Sequence, residues 1–213
     1  MDNIILYAII AINVIVSFKG FEDQYFFRKY QFHVGSIRAG EQYRMVTSGF
    51  LHADIMHLAF NMITLYFFAP IVSVSLSNFT LVLVYFASLI CGSLLTMVFH
   101  GNEYSYSAVG ASGAVTGVLY SAILMYPDME IGIFGVIPMP AYLFGIGYLL
   151  YSIYGMKSRT DNIGHTAHIG GAIGGYVITL LKVPMLIQDN TLMVILLAVP
   201  IIILFIMAKS GKL

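Results

Sequence analysis

The sequence predicts an all-α protein, a polytopic bundle of membrane helices. Three observations carry that expectation. Of 213 residues, 59% are hydrophobic and only 9% are charged, where a soluble domain carries about 25% charged residues. The mean hydropathy is +0.88. The apolar residues also gather into seven runs, each close to the roughly 17–25 residues that a membrane helix needs.

The expected spans cover residues 2–18, 55–76, 79–99, 109–126, 139–156, 166–187 and 191–208. The first, "MDNIILYAIIAINVIVSF", lacks a basic leader and a small-residue cleavage site, so it reads as a retained span. "SLSNF" marks a tight turn between the second and third. "YPDMEIGIFGVIPMP" separates the fourth from the fifth, with Pro127, Pro138 and Pro140 as breaks. "KSRTDNIG" and "PMLIQDN" precede the last two. The connection Lys19–Arg44 is longer and mixes Phe21, Tyr25, Phe26, Phe27, Tyr30 and Phe32 with basic residues. That mixture favours the membrane interface, so this segment is expected to lie partly within it.

Composition excludes several functions. Net charge is zero, which gives no footprint for nucleic acid. Cys91 is the single cysteine and reads as a packed apolar side chain. Every Asp and Glu falls in a connection or at a span end, and a proton-coupled transporter would need acids near the midplane.

What does enter the spans is Ser, His, Asn and Gly. In "FLHADIMHLAFNMITL", His57 and Asn61 lie four residues apart and share one helix face, with His52 just before them. In "HTAHIGGAIGGY", Gly171 and Gly175 follow His168 with G-x-x-x-G spacing, and Gly113 and Gly117 repeat that spacing in the fourth span. Such pairs let helix backbones approach closely. At about 100° per residue, His168 lies about 60° from the direction of Gly171, whereas His165 lies about 120° away. If the fourth and sixth spans pack through these glycines, Ser112, next to Gly113, can meet His168.

A Ser beside a His is a nucleophile with a general base. Acyl transfer also needs donors for the developing oxyanion, and the Asn61 amide, the His57 ring and the Ser112 backbone N–H are the candidates. Gly110 and Gly113 are expected to leave room for a substrate backbone. Asp54 lies with the wrong histidine for a triad. A zinc site from His52, His57, His165 and His168 would lack H-E-x-x-H and an acid within the spans, so no metal and no cofactor is expected.

These residues resemble the rhomboid family of intramembrane serine proteases. "GASG" at 110–113, "HADIMHLAFN", "AHIGG" and "EQYRMVTSGFLH" carry the resemblance, which extends from about Glu41 to Tyr176. It implies Ser112 as nucleophile and His168 as base, with His57 and Asn61 holding the oxyanion and His52 shaping the site. It implies a six-helix core over residues 1–187, in which spans two to six enclose a water-filled cavity. Residues 188–213 would add a seventh transmembrane helix and tail. The substrates implied are membrane-anchored proteins cut in or near a transmembrane helix, in the plasma membrane of a prokaryote.

Two residues depart from the family pattern. Tyr43 stands where many members have Trp. Thr116 stands where many have an aromatic packed on the catalytic His, which leaves the support of His168 to another residue. The distribution of Lys and Arg places the long-loop side in the cytoplasm, whereas the family faces its site away from it; the resemblance is followed here. The alternative from another class is an inactive relative that escorts membrane clients, which would normally have lost the Ser or His that this chain keeps.

Overall fold

The computed structural model describes residues 3–133 and 137–213. In chain order it contains α1 (Ile4–Glu22), α2 (Gln24–Tyr30), β1 (Phe32–His33), α3 (Val34–Arg38), α4 (Arg44–Thr47), α5 (Ile55–Ser75), α6 (Asn78–His100) and β2 (Ser107–Ala108). There follow α7 (Ser112–Met125), β3 (Glu130–Ile133), β4 (Ile137–Pro140), α8 (Ala141–Ser158), α9 (His165–Lys182), α10 (Leu186–Asp189) and α11 (Thr191–Lys209). The protein is an all-α polytopic bundle with two small antiparallel ribbons, β1–β2 and β3–β4.

Each expected span overlaps a helix, and the differences lie at the ends. The first helix continues to Glu22, four residues past its expected end; its expected start at residue 2 lies outside the described residues. The sixth ends at Lys182 rather than 187, where Val183 and Pro184 break it before α10. α1, α5, α6 and α11 are long and apolar enough to cross a membrane by length and composition. α8 and α9 carry more Gly, Tyr, His and Thr, and α9 faces protein over much of its length.

α7 is the central element. Every residue from Gly113 to Leu124 is buried. With 14 residues it is about 21 Å long, shorter than the roughly 30 Å hydrocarbon layer. A helix this short needs neighbours on all sides, because non-helical backbone at membrane depth is tolerated only when protein covers it or it lines a cavity. α5, α6 and α9 are its main neighbours. Glycines set how close they come. A Cβ added at Gly171 or Gly175 would collide with the carbonyl oxygen of Gly113 or Gly117 across the α7–α9 contact. Gly170 and Gly174 turn the other way, against Cys91, Gly92 and Ser88 of α6. α11 lies outside this core, with Leu197 against Gly145 of α8 and the Val194 carbonyl accepting from Tyr176 Oη at 2.9 Å.

The segment between α1 and α5 is a set of short helices. α2 has no buried residue, and Tyr25 and Tyr43 are exposed. Phe32, Val34 and Ile37 form a small buried cluster, and Arg44 is also buried, pairs with Glu41 and donates to the carbonyls of Arg28 and Gln31. The Arg44 hydrogen bond holds the Glu41 carboxyl below its ordinary pKa. This arginine is therefore a brace within the loop. The 126–140 connection, expected only to separate the fourth span from the fifth, forms the β3–β4 ribbon, with residues 134–136 outside the described set.

Candidate active site

The starts of α5, α7 and α9 and the end of α6 share one end of the bundle. The backbone N–H of Ala111, before α7, reaches His52, before α5. Thr166, in the first turn of α9, bonds Thr96 near the end of α6 at 3.1 Å. At the opposite end, Ser75 of α5 meets Tyr126 beyond α7.

Ser112 is the first residue of α7, and three contacts fix the extended segment before it. β2 pairs with β1, placing Phe32 opposite Ala108 and His33 opposite Ser107. The Gly110 N–H donates to the Ser48 carbonyl at 3.0 Å, and the Ala111 N–H donates to His52 Nε2 at 3.3 Å. Since Nε2 accepts, the His52 proton sits on Nδ1 and points at Ser17 Oγ, 2.8 Å away. Ser17 in turn donates to the Phe50 carbonyl at 3.0 Å. One neutral histidine thus ties α1 to the residue preceding Ser112.

Gly110 has φ +128°, and a Cβ there would lie 2.7 Å from Cε1 and 2.8 Å from Nε2 of His57. The space beside it holds the His57 ring. At Gly113 a Cβ would lie 3.0 Å from the Ala167 carbonyl oxygen of α9. The missing side chains of these two glycines thus admit the His57 ring on one side and the α9 backbone on the other.

His57 and Asn61 lie in the first two turns of α5. Asp54 caps that helix by accepting the His57 N–H at 2.8 Å, so its carboxylate serves the helix start. The His57 ring stands edge-on to His52 with centroids 5.0 Å apart. Asn61 is buried and spends one amide hydrogen on the His57 carbonyl at 2.9 Å, leaving its second for another acceptor. His165 lies off the α7–α9 contact and pairs with Asp161.

His168 is buried in the first turns of α9, three residues before the Gly171 contact with Gly113. Among the described residues its ring makes no hydrogen bond to Ser112; the partner it has is Tyr148 of α8, whose Oη lies 2.9 Å from Nδ1. The two rings stack at 5.5 Å and 25°. Catalytic hydrogen bonds are often long before substrate binds. A shallow pocket beside Ser112 is lined by Phe32, Ser48, Ser93, Thr96, Gly110 and Ala167 among others. No group of three or more His, Cys, Asp or Glu side chains placed to hold a metal occurs among the described residues.

Sequence reasoning missed Tyr148, Ser17 and the second glycine face. The doublets Gly170-Gly171 and Gly174-Gly175 carried that last signal, since adjacent helical residues point about 100° apart and so serve two neighbours.

A helix bundle that sets a half-buried serine at one helix start and a buried histidine on the adjoining helix defines a class of integral membrane protein with polar groups gathered inside its spans. The sequence profile of the Rhomboid domain matches residues 39–185. The RHOMBOID-like protein 12, mitochondrial, of Arabidopsis thaliana is 28% identical over 186 residues, which is 80% of this chain and 55% of that protein. From Bacillus subtilis (strain 168), the rhomboid YdcA is 32% identical over 68% of this chain and 69% of its own length. The rhomboid protease GluP of the same organism is 33% identical over 66% of this chain but only 26% of its own length. The chain belongs to the rhomboid family. It spans only part of most of these relatives.

Proposed function

We propose that the protein is an intramembrane serine endopeptidase that cleaves membrane-anchored proteins in or near a transmembrane segment. The observation that carries this reading is the close α7–α9 contact, in which Gly113, next to Ser112, meets Gly171, one turn from His168. The name of GluP as a rhomboid protease supports it.

In the proposed reaction, His168 Nε2 takes the Ser112 hydroxyl proton as Oγ attacks the scissile carbonyl. The oxyanion is held by the Ser112 N–H and the free Asn61 amide hydrogen, with the His57 ring beside them. Collapse breaks the C–N bond, and His168 returns the proton to the leaving amine. Water then attacks the Ser112 ester; His168 accepts its proton and returns it to Ser112 Oγ as the acyl–oxygen bond breaks, releasing the new carboxyl end. Residues 1–187 would do this work, with α11 as an added helix. Location in a prokaryotic plasma membrane is part of the same proposal; the Bacillus relatives support it and the mitochondrial relative does not.

The test is cleavage of a tagged transmembrane substrate in reconstituted membranes by the parent, Ser112→Ala and His168→Ala. Both variants should be inactive. Retained cleavage in either would remove the dyad, and no cleavage by the parent on any membrane-anchored substrate would favour the escort alternative.

A further inference from the structure

Thr116 is too small to support His168, and the structure supplies support from a different helix. Tyr148 of α8 stacks on the His168 ring and meets Nδ1 with its phenol oxygen at 2.9 Å. The same phenol oxygen lies 3.5 Å from Thr116 Oγ1, and Thr116 donates to the Ser112 carbonyl at 2.7 Å. Phe144, one turn earlier on α8, stacks parallel to Tyr148 at 6.0 Å and 7°.

The donors in this chain run in one direction. Thr116 has a single hydroxyl hydrogen, and the Ser112 carbonyl takes it. Thr116 Oγ1 keeps lone pairs that can accept the Tyr148 hydrogen across their 3.5 Å separation. With the phenol hydrogen so turned, the Tyr148 oxygen accepts from His168 at 2.9 Å, and the proton of the neutral ring sits on Nδ1. Nε2 is thereby a lone pair, the form a general base requires.

We propose that Tyr148, oriented by Thr116, is the positioning residue that fixes the tautomer and ring plane of His168. This rests on the dyad reading above. The role is the one an aspartate plays in a Ser-His-Asp triad, except that a phenol has no charge to stabilise an imidazolium. The connection closes on Ser112 itself, so the base and the backbone of the nucleophile are held by one chain of hydrogen bonds.

The test uses the full chain in detergent micelles and in proteoliposomes. Tyr148→Phe keeps the stacked ring and removes the hydroxyl. It should lower kcat by about 10–100-fold, the scale for losing a partner that orients a histidine, with KM within about twofold and a displaced pH–rate profile. In 15N-histidine spectra, with His168 assigned by its loss in His168→Gln, the parent should show the Nδ1–H form and Tyr148→Phe a shift toward Nε2–H. An unchanged kcat overturns the proposal. So does a lower kcat with an unchanged tautomer, because Tyr148 is then a packing residue only. The spectra are read without turnover, and Ser112→Ala is assayed in parallel. Cleavage by that variant would sink the dyad rather than the role of Tyr148.

Discussion

The Ala111 N–H donates to His52 Nε2 at 3.3 Å, and the other nitrogen of that ring lies 2.8 Å from Ser17 Oγ. His52→Ala leaves the Ala111 N–H, buried just before Ser112, without its acceptor. An unsatisfied buried donor costs about 1–3 kcal/mol. The expected outcome is a lower melting temperature together with slower fluorophosphonate labelling. Ser17→Ala should show the same pattern at smaller amplitude, since it removes only the second link.

Gly110→Ala should be far more damaging than its size suggests. The position combines φ +128° with a Cβ that would strike the His57 ring. Gly147 of α8 is the control, because a Cβ there meets nothing within 4 Å. Cleavage by Gly110→Ala should fall by at least about tenfold, the loss expected for roughly 1.4 kcal/mol of barrier, while Gly147→Ala keeps parental activity. Equal activity of the two variants would disprove the account of Gly110.

The α7–α9 contact predicts a stability effect. Gly171→Ala places a methyl against the Gly113 carbonyl, which is backbone and cannot rotate away. Overpacking of this kind costs about 1–3 kcal/mol. Thermal unfolding in detergent should register it, and Gly170→Ala should match it through the α6 face.

The loop side offers a pH test. Glu103 accepts from His100 at 3.1 Å and pairs with Arg159 at 3.1 Å. Those partners, His100 first, hold its carboxyl below the ordinary value of 4.5. A depressed carboxylate pKa contributes stability that is present above the unfolded value and is lost as pH falls through the folded one. Melting temperatures of the parent and Glu103→Gln should therefore differ slightly at neutral pH and converge in acid below pH 4.5. The difference should shrink in high salt, as expected for an exposed pair.

Much of this architecture was legible in the sequence. Apolar runs located the helices because a span needs length and little else, and paired glycines announced the α7–α9 contact because close approach needs a missing Cβ. The helix ends were less legible, since Val183 and Pro184 stop α9 inside an apolar run. Tyr148 was not legible at all. It is one of 15 tyrosines, and its meaning depends on which face of α8 turns toward α9, a tertiary fact with no local pattern. Ser17 was hidden for the same reason: its partner His52 lies 35 residues away. The pair Thr116 and Tyr148 shows how a residue that breaks a family pattern can be read only together with the neighbour that fills its place.

The central claim is that Ser112 is the nucleophile and His168 its base. The most direct measurement is mass-spectrometric mapping of the adduct formed when the protein in membranes reacts with a fluorophosphonate. The account predicts a single modified site, on the peptide containing Ser112, absent in Ser112→Ala and strongly reduced in His168→Ala. An adduct on another serine, or one that persists undiminished in Ser112→Ala, would contradict it.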